Sequence, residues 1–275
     1  MKALISADME GATGVTWPDD CMNGTPQYAR FQPIFTADVN AVALGFLDAG
    51  VDEVIVTEAH GSMRNLLLEQ LDPRVRMITG RHKTYAMLEG IQDRPELVAF
   101  VGYHSAAGTM GILSHTYMGT QITHTTLNGR LMSEGYLNAL LAAEFGARLA
   151  VVSGDDVTCA DAVDYAPGVQ PVAVKIAIDR HTADCLHPDV TARLLREAAT
   201  ASVSTAAVPP LPDGPYTCSV SFLAHNCAAA AALIPQVRRT DEQTIEFTFN
   251  TVAELYQCFG VVTTMAGGAV EKIYG

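Results

Sequence analysis

Three short apolar runs, each closing on side chains able to bind a metal, constrain this chain more than any other feature. KALISAD leads into Asp8 and Glu10, VDEVIVTEAH ends at His60, and ELVAFVGYH ends at His104. Between them lie the amphipathic PIFTADVNAVALGFLDAG, stopped by Gly50, the helix-like SMRNLLLEQL and the strand-like RVRMITG. A glycine just past an apolar-periodic stretch is a natural helix stop. Strands alternating with helices predict a mainly parallel sheet covered by helices on both faces.

The rhythm then changes. GTQITHTTLNGRLMS alternates and holds Asn128-Gly129, a strong short hairpin signal. EGYLNALLAAEFG and PDVTARLLREAATASVSTA read as helices, and ARLAVVSGDD and VAVKIAI as strands. The Pro- and Gly-dense AVPPLPDGP is the best boundary. Beyond it come the strand YTCSVSFL, a helix from about Ala224, the strand TIEFTFN and the helical TVAELYQCFGVVTTMA. The expected fold is α/β, a mainly parallel sheet flanked by helices, with a smaller C-terminal α+β unit. Residues 1–207 would form the metal-binding catalytic body and residues 215–275 the smaller unit packed on it.

In an open parallel sheet, ligands bind beyond the carboxyl ends of the strands. Asp8, Glu10, His60 and His104 should therefore meet in space although they are far apart in sequence. Strand alternation puts Asp8 and Glu10 on one face. Two carboxylates held close repel, and a cation between them relieves the cost. Either carboxylate alone would suit a turn cap, and a lone histidine is usually structural; convergence at several strand ends favours a metal site. Mixed carboxylates and imidazoles suit zinc better than calcium, which prefers oxygen shells. Asp8 could bridge two ions, Glu134 at the start of a helix could add a ligand, and His115 in GILSHTY is a spare imidazole for proton transfer or nucleophilic attack. Asp155-Asp156 reads as a helix cap or a supporting pair. His82, His124, His181, His187 and His225 read as ordinary structural or surface residues.

Composition removes other classes. With 49% hydrophobic residues, 17% charged residues and a formal net charge of −13, the chain suits a globular protein that repels polyanions, so nucleic acid is not an expected partner. No apolar run is long enough for a membrane span, and the N-terminus lacks a signal-peptide pattern. Six scattered cysteines (Cys21, Cys159, Cys185, Cys218, Cys227, Cys258) form no C-x-x-C pair, which suits reduced thiols in the cytoplasm. MEGATG lacks dinucleotide-site spacing, there is no Walker A or H-E-x-x-H motif, and SGDD is not a nucleophile elbow.

At these residues the chain resembles the DppA family of zinc D-aminopeptidases. SADMEG, EAHGSMRNL, MLEG, VGYHSAAGTMGILSHT, NGRLMSEGYLNA and VSGDD carry the resemblance along nearly the whole chain. It implies a dinuclear zinc site of Asp8, Glu10, His60, His104 and Glu134, with His115 as the catalytic histidine. It also implies a short peptide with a free N-terminus as substrate, and a homo-oligomer, specifically a decamer of two stacked pentamers. The stretch TWPDDCMNGTPQYARFQP departs from the family pattern, so the ligands carry over more fully than substrate preference. The rival expectations are an L-specific aminopeptidase, an amidase on other small amines, or a non-catalytic metal-dependent binding protein.

Overall fold

A computed structural model describes residues 1–271. The first part runs β1 (Lys2–Ala7), α1 (Pro18–Cys21), α2 (Pro26–Asp48), β2 (Glu53–Glu58), β3 (Val75–Ile78) and β4 (Leu97–Val101). Next come β5 (Ile122–Leu127), β6 (Arg130–Leu131), α3 (Glu134–Glu144), β7 (Arg148–Asp155) and α4 (Asp156–Tyr165). They are followed by β8 (Gln170–Asp179), β9 (Thr182–Cys185) and α5 (Pro188–Thr205). The last elements are β10 (Tyr216–Phe222), α6 (His225–Ala231), β11 (Arg238–Arg239), β12 (Thr244–Phe249) and α7 (Val252–Gly268). No helix among the described residues is long and apolar enough to cross a membrane.

Seven strands form one sheet in the order β3-β2-β1-β4-β7-β8-β9. Every neighbouring pair is parallel except β8–β9. The sheet is buried on both faces, as parallel sheets are. Ala3, Ile5 and Ala7 of β1 face a core shared with α2 and α5, while Leu4 faces a second core shared with α3, α7 and the other sheet. The chain steps outward from β1 to β3 and then returns to lay β4 on the other side of β1. That reversal opens a crevice at the carboxyl ends of β1, β2 and β4.

The second sheet is antiparallel, in the order β11-β12-β10-β5-β6. Asn128-Gly129 turns β5 into β6, both residues with positive φ. Because β5 pairs with β10, this sheet draws strands from both sides of the Pro- and Gly-rich segment.

Two elements depart from the sequence pattern. SMRNLLLEQL yields only a single 3₁₀ turn, Leu68–Gln70. Here the Asn65 and Leu66 amides donate to the Glu58 carboxylate and the Leu67 amide to the Thr36 hydroxyl. Side chains on neighbouring elements thus take the donors a helix would have turned inward. α2 begins at Pro26, ahead of the expected PIFTADV start, because Thr25 accepts from the Tyr28 amide as N-cap and Pro26 occupies the first turn. Pro33 then lies inside the helix.

Candidate active site

Each strand end delivers its side chains by a tight local device. β1 stops at Ala7, but the Asp8 amide still donates to the Val101 carbonyl and the Gly11 amide to the Gly102 carbonyl. The turn that carries Asp8 and Glu10 is thereby stitched to the end of β4. The stitching leaves no room for side chains: a Cβ on Gly11 would stand 1.8 Å from the Tyr103 carbonyl oxygen. From the other side, the buried Lys175 ammonium donates to the carbonyls of Glu10, Ala12 and Val15. His60 follows β2, and the Asn65 side-chain amide donates to its carbonyl. His104 follows β4. The loop to His115 is held by Asp155, which accepts from the Ile112 amide and also caps α4 through the Thr158 amide. Glu134 opens α3 behind its N-cap, Ser133.

These elements bring all six expected residues together in one cavity of about 1080 Å³. His60 Nδ1 lies 2.7 Å from Glu10 Oε2 and 3.3 Å from Asp8 Oδ1. His104 Nε2 lies 3.4 Å from Asp8 Oδ2 and 3.5 Å from Glu134 Oε1. His115 Nε2 faces Glu10 at 3.6 Å and Glu134 at 4.0 Å, its ring stacked on His104 with centroids 4.0 Å apart.

The other nitrogen of each imidazole is already committed. His60 Nε2 sits 2.8 Å from the Cys21 carbonyl, His104 Nδ1 3.1 Å from that of Ser105, and His115 Nδ1 2.8 Å from that of Leu113. A carbonyl accepts only, so each of these nitrogens is the N–H. In the neutral ring the remaining nitrogen then carries a lone pair, and in all three it points at a pair of carboxylates. Such facing acceptors need a positive charge between them, and a tethered second nitrogen is how metal-binding histidines are oriented. The buried Asp8 Oδ2 has no hydrogen-bond partner among the described residues. The donor set therefore fits a divalent cation.

The electrostatics give the same picture. Burial and the charge of Glu10 push the Asp8 carboxyl above its ordinary pKa. Burial alone would lower His60 and His104, yet the facing carboxylates outweigh it and raise both well above the usual imidazole range. Without a cation the cluster must hold protons that a cation would displace.

The comparisons with known proteins point the same way. A family model described as D-aminopeptidase, of peptidase family M55, matches residues 1–261. The chain belongs to the D-aminopeptidase family. A family relative, the D-aminopeptidase of Bacillus subtilis (strain 168), is 35% identical over 272 residues, spanning 97% of this chain and 98% of its own. A solved structure, described as the Zn-dependent D-aminopeptidase DppA from Bacillus subtilis, a self-compartmentalizing protease, superposes with a TM-score of 0.92. It is 31% identical, over 97% of this chain and 98% of that one.

The cavity also contains residues that the sequence left unmarked. Arg81, His82, Lys83, Tyr117 and Tyr256 all line it. The Tyr117 amide donates to Glu134 Oε1 at 2.6 Å, helping to hold that carboxylate. The Cys21 thiol lies within reach of Glu10 and His60, and burial pushes its pKa up. His82, expected to be an ordinary surface residue, belongs to the cavity lining. His124, His181, His187 and His225 are exposed, with His187 capping α5. Arg81 and Lys83 carry no strand-end signature; they are found only by tracing the cavity wall.

Proposed function

We propose that this chain is an aminopeptidase, dependent on a pair of zinc ions, that removes N-terminal residues, D-configured ones in particular, from short peptides. One observation carries the reading: three imidazoles, each tethered through one nitrogen to a backbone carbonyl, turn the other toward shared buried carboxylates. Asp8, Glu10, His60, His104 and Glu134 would hold the metal, with Asp8 between the two ions. When bound, zinc lowers the pKa of water toward neutrality and polarises the scissile carbonyl.

The protein's own groups do the rest. His115 stands farther from the carboxylates than His60 and His104 do, and it lines the cavity. Its tether to Leu113 keeps the proton on Nδ1 and leaves Nε2 free to take a proton from the attacking water and return it to the leaving amine. The stacked His104 ring fixes the plane in which that transfer occurs.

The protein is proposed to act in the cytoplasm as a homo-oligomer, a decamer in full. The six cysteines are free thiols, which suits a reducing compartment. Ile176 and Ile178 of β8 expose apolar surface that subunit contacts would cover.

The test is purified protein, stripped with a chelator and then resupplied with zinc, assayed on D-Ala-D-Ala and L-Ala-L-Ala. Zinc-restored cleavage of the D,D-peptide alone is expected. Cleavage of the L,L-peptide instead would overturn the stereochemistry and keep the site. Bound zinc with neither peptide cleaved would leave a binding protein.

A further inference from the structure

The wall of the cavity also carries an unexplained pair of cations. In a chain of formal net charge −13, the lining holds Arg81 and Lys83, and its only carboxylates are Asp8, Glu10 and Glu134. No carboxylate pairs with Arg81 or Lys83 among the described residues. The two acids whose charge reaches Lys83 make their hydrogen bonds to other groups. Glu58 accepts from the Asn65 and Leu66 amides, and Glu89 from the Tyr85 amide and Gln92. The Lys83 ammonium rests on the Thr57 hydroxyl at 3.1 Å and the Glu58 carbonyl at 2.5 Å, and its third N–H remains to be used. Between the two cations His82 holds φ at +67°, an uncommon conformation for a residue with a side chain and one that collects at ligand-binding positions.

We propose that Arg81 and Lys83 bind the C-terminal carboxylate of the substrate, so that the cavity selects very short peptides with both ends free. The inference rests on the aminopeptidase reading, which fixes the N-terminal residue at the carboxylate–imidazole cluster. Lys83 is anchored on the Glu58 carbonyl, two residues before His60, which puts the two backbone positions at most about 7 Å apart. An extended dipeptide also spans about 7 Å. A guanidinium and an ammonium with free donors are the side chains suited to a carboxylate. Half-burial of Lys83 strengthens such a contact by excluding water. An endopeptidase groove has no use for this pair, because an internal residue brings no charge there.

The experiment compares D-Ala-D-Ala with its C-terminal amide on the zinc-restored enzyme, following loss of the intact dipeptide. Amidation is expected to lower kcat/KM at least tenfold, carried by KM, and the preference for the acid should shrink at high salt. Arg81→Gln, at an exposed position, and Lys83→Gln, whose amide can still donate to Thr57 and Glu58, should each bring the acid-to-amide ratio toward one. Equal cleavage of acid and amide by the wild-type enzyme would overturn the inference and leave the aminopeptidase standing. Variants that lose acid and amide in the same proportion would also overturn it, since that marks a structural role. Cleavage of neither peptide would take away the D-aminopeptidase reading, and this inference with it.

Discussion

Single side chains divide into those that would hold the metal and those that would move protons. Glu134 is anchored by the Tyr117 amide and faces His104, so Glu134→Ala should lower bound zinc per subunit, measured by elemental analysis. His115→Ala should cut kcat by at least about a hundredfold, the lower end for a lost proton carrier, with zinc content unchanged. Full turnover in that variant would remove His115 from the mechanism. A glycine matters as much as any ligand. Gly102 has φ +74°, and a Cβ there would stand 2.0 Å from the Asp8 carbonyl oxygen. Gly102→Ala should therefore destabilise the fold by about 3 kcal/mol or more in urea unfolding, a cost set by strain and a backbone clash. The candidates Asp8, Glu10, His60, His104 and Glu134 stood out because metal-capable residues at strand ends or a helix start are rare in combination, and His115 stood out only as a spare imidazole on a loop. Arg81 and Lys83 did not, since a basic residue in a loop has no periodic signal to distinguish a cavity wall from solvent.

At the level of elements, the turn after β1 is tied to α2 and α5 through one buried acid. Asp38 of α2 accepts from both the amide and the hydroxyl of Thr13, and that hydroxyl reaches Thr191 of α5. Burial pushes the Asp38 carboxyl up to about 6, against the help of these hydrogen bonds. The folded state therefore keeps a proton that the unfolded chain releases near pH 4. This group's contribution is complete below that pH and is lost as pH rises to about 6, a decline of order 2–3 kcal/mol. Asp38→Asn should flatten that part of the stability profile, read as the difference between wild-type and variant urea midpoints across pH 4 to 7. An unchanged difference would mean that Asp38 titrates normally. Helices with a cap and an apolar stripe, such as α3 and α5, were readable in sequence. The stretch after His60 was not, because its amides are satisfied by Glu58 and Thr36, partners that only the folded chain supplies.

For the whole molecule, a metal held at the candidate site residues would couple to folding. Asp8, Glu10 and Glu134 are buried together, so a cation that binds only the folded state adds stability by mass action. Chelation should lower Tm by the order of 10 °C, with recovery that depends on zinc concentration, as followed by calorimetry. A Tm indifferent to both would contradict a metal at these residues. The α/β class, the parallel body, the Asn-Gly hairpin and the candidate residues that converge in the cavity were all readable from the sequence itself. Periodicity, turn chemistry and strand-end residues are local properties that survive without knowing the partners. Tertiary structure alone decided the rest. Strand order put the reversal between β1 and β4, and so set which strand ends share a crevice. Long-range pairing joined β5 to β10 across the proline-rich segment. Folding also set which nitrogen of each imidazole is spent on a carbonyl. These depend on contacts between residues far apart in the chain, whose cost in chain entropy is met only when the whole core closes.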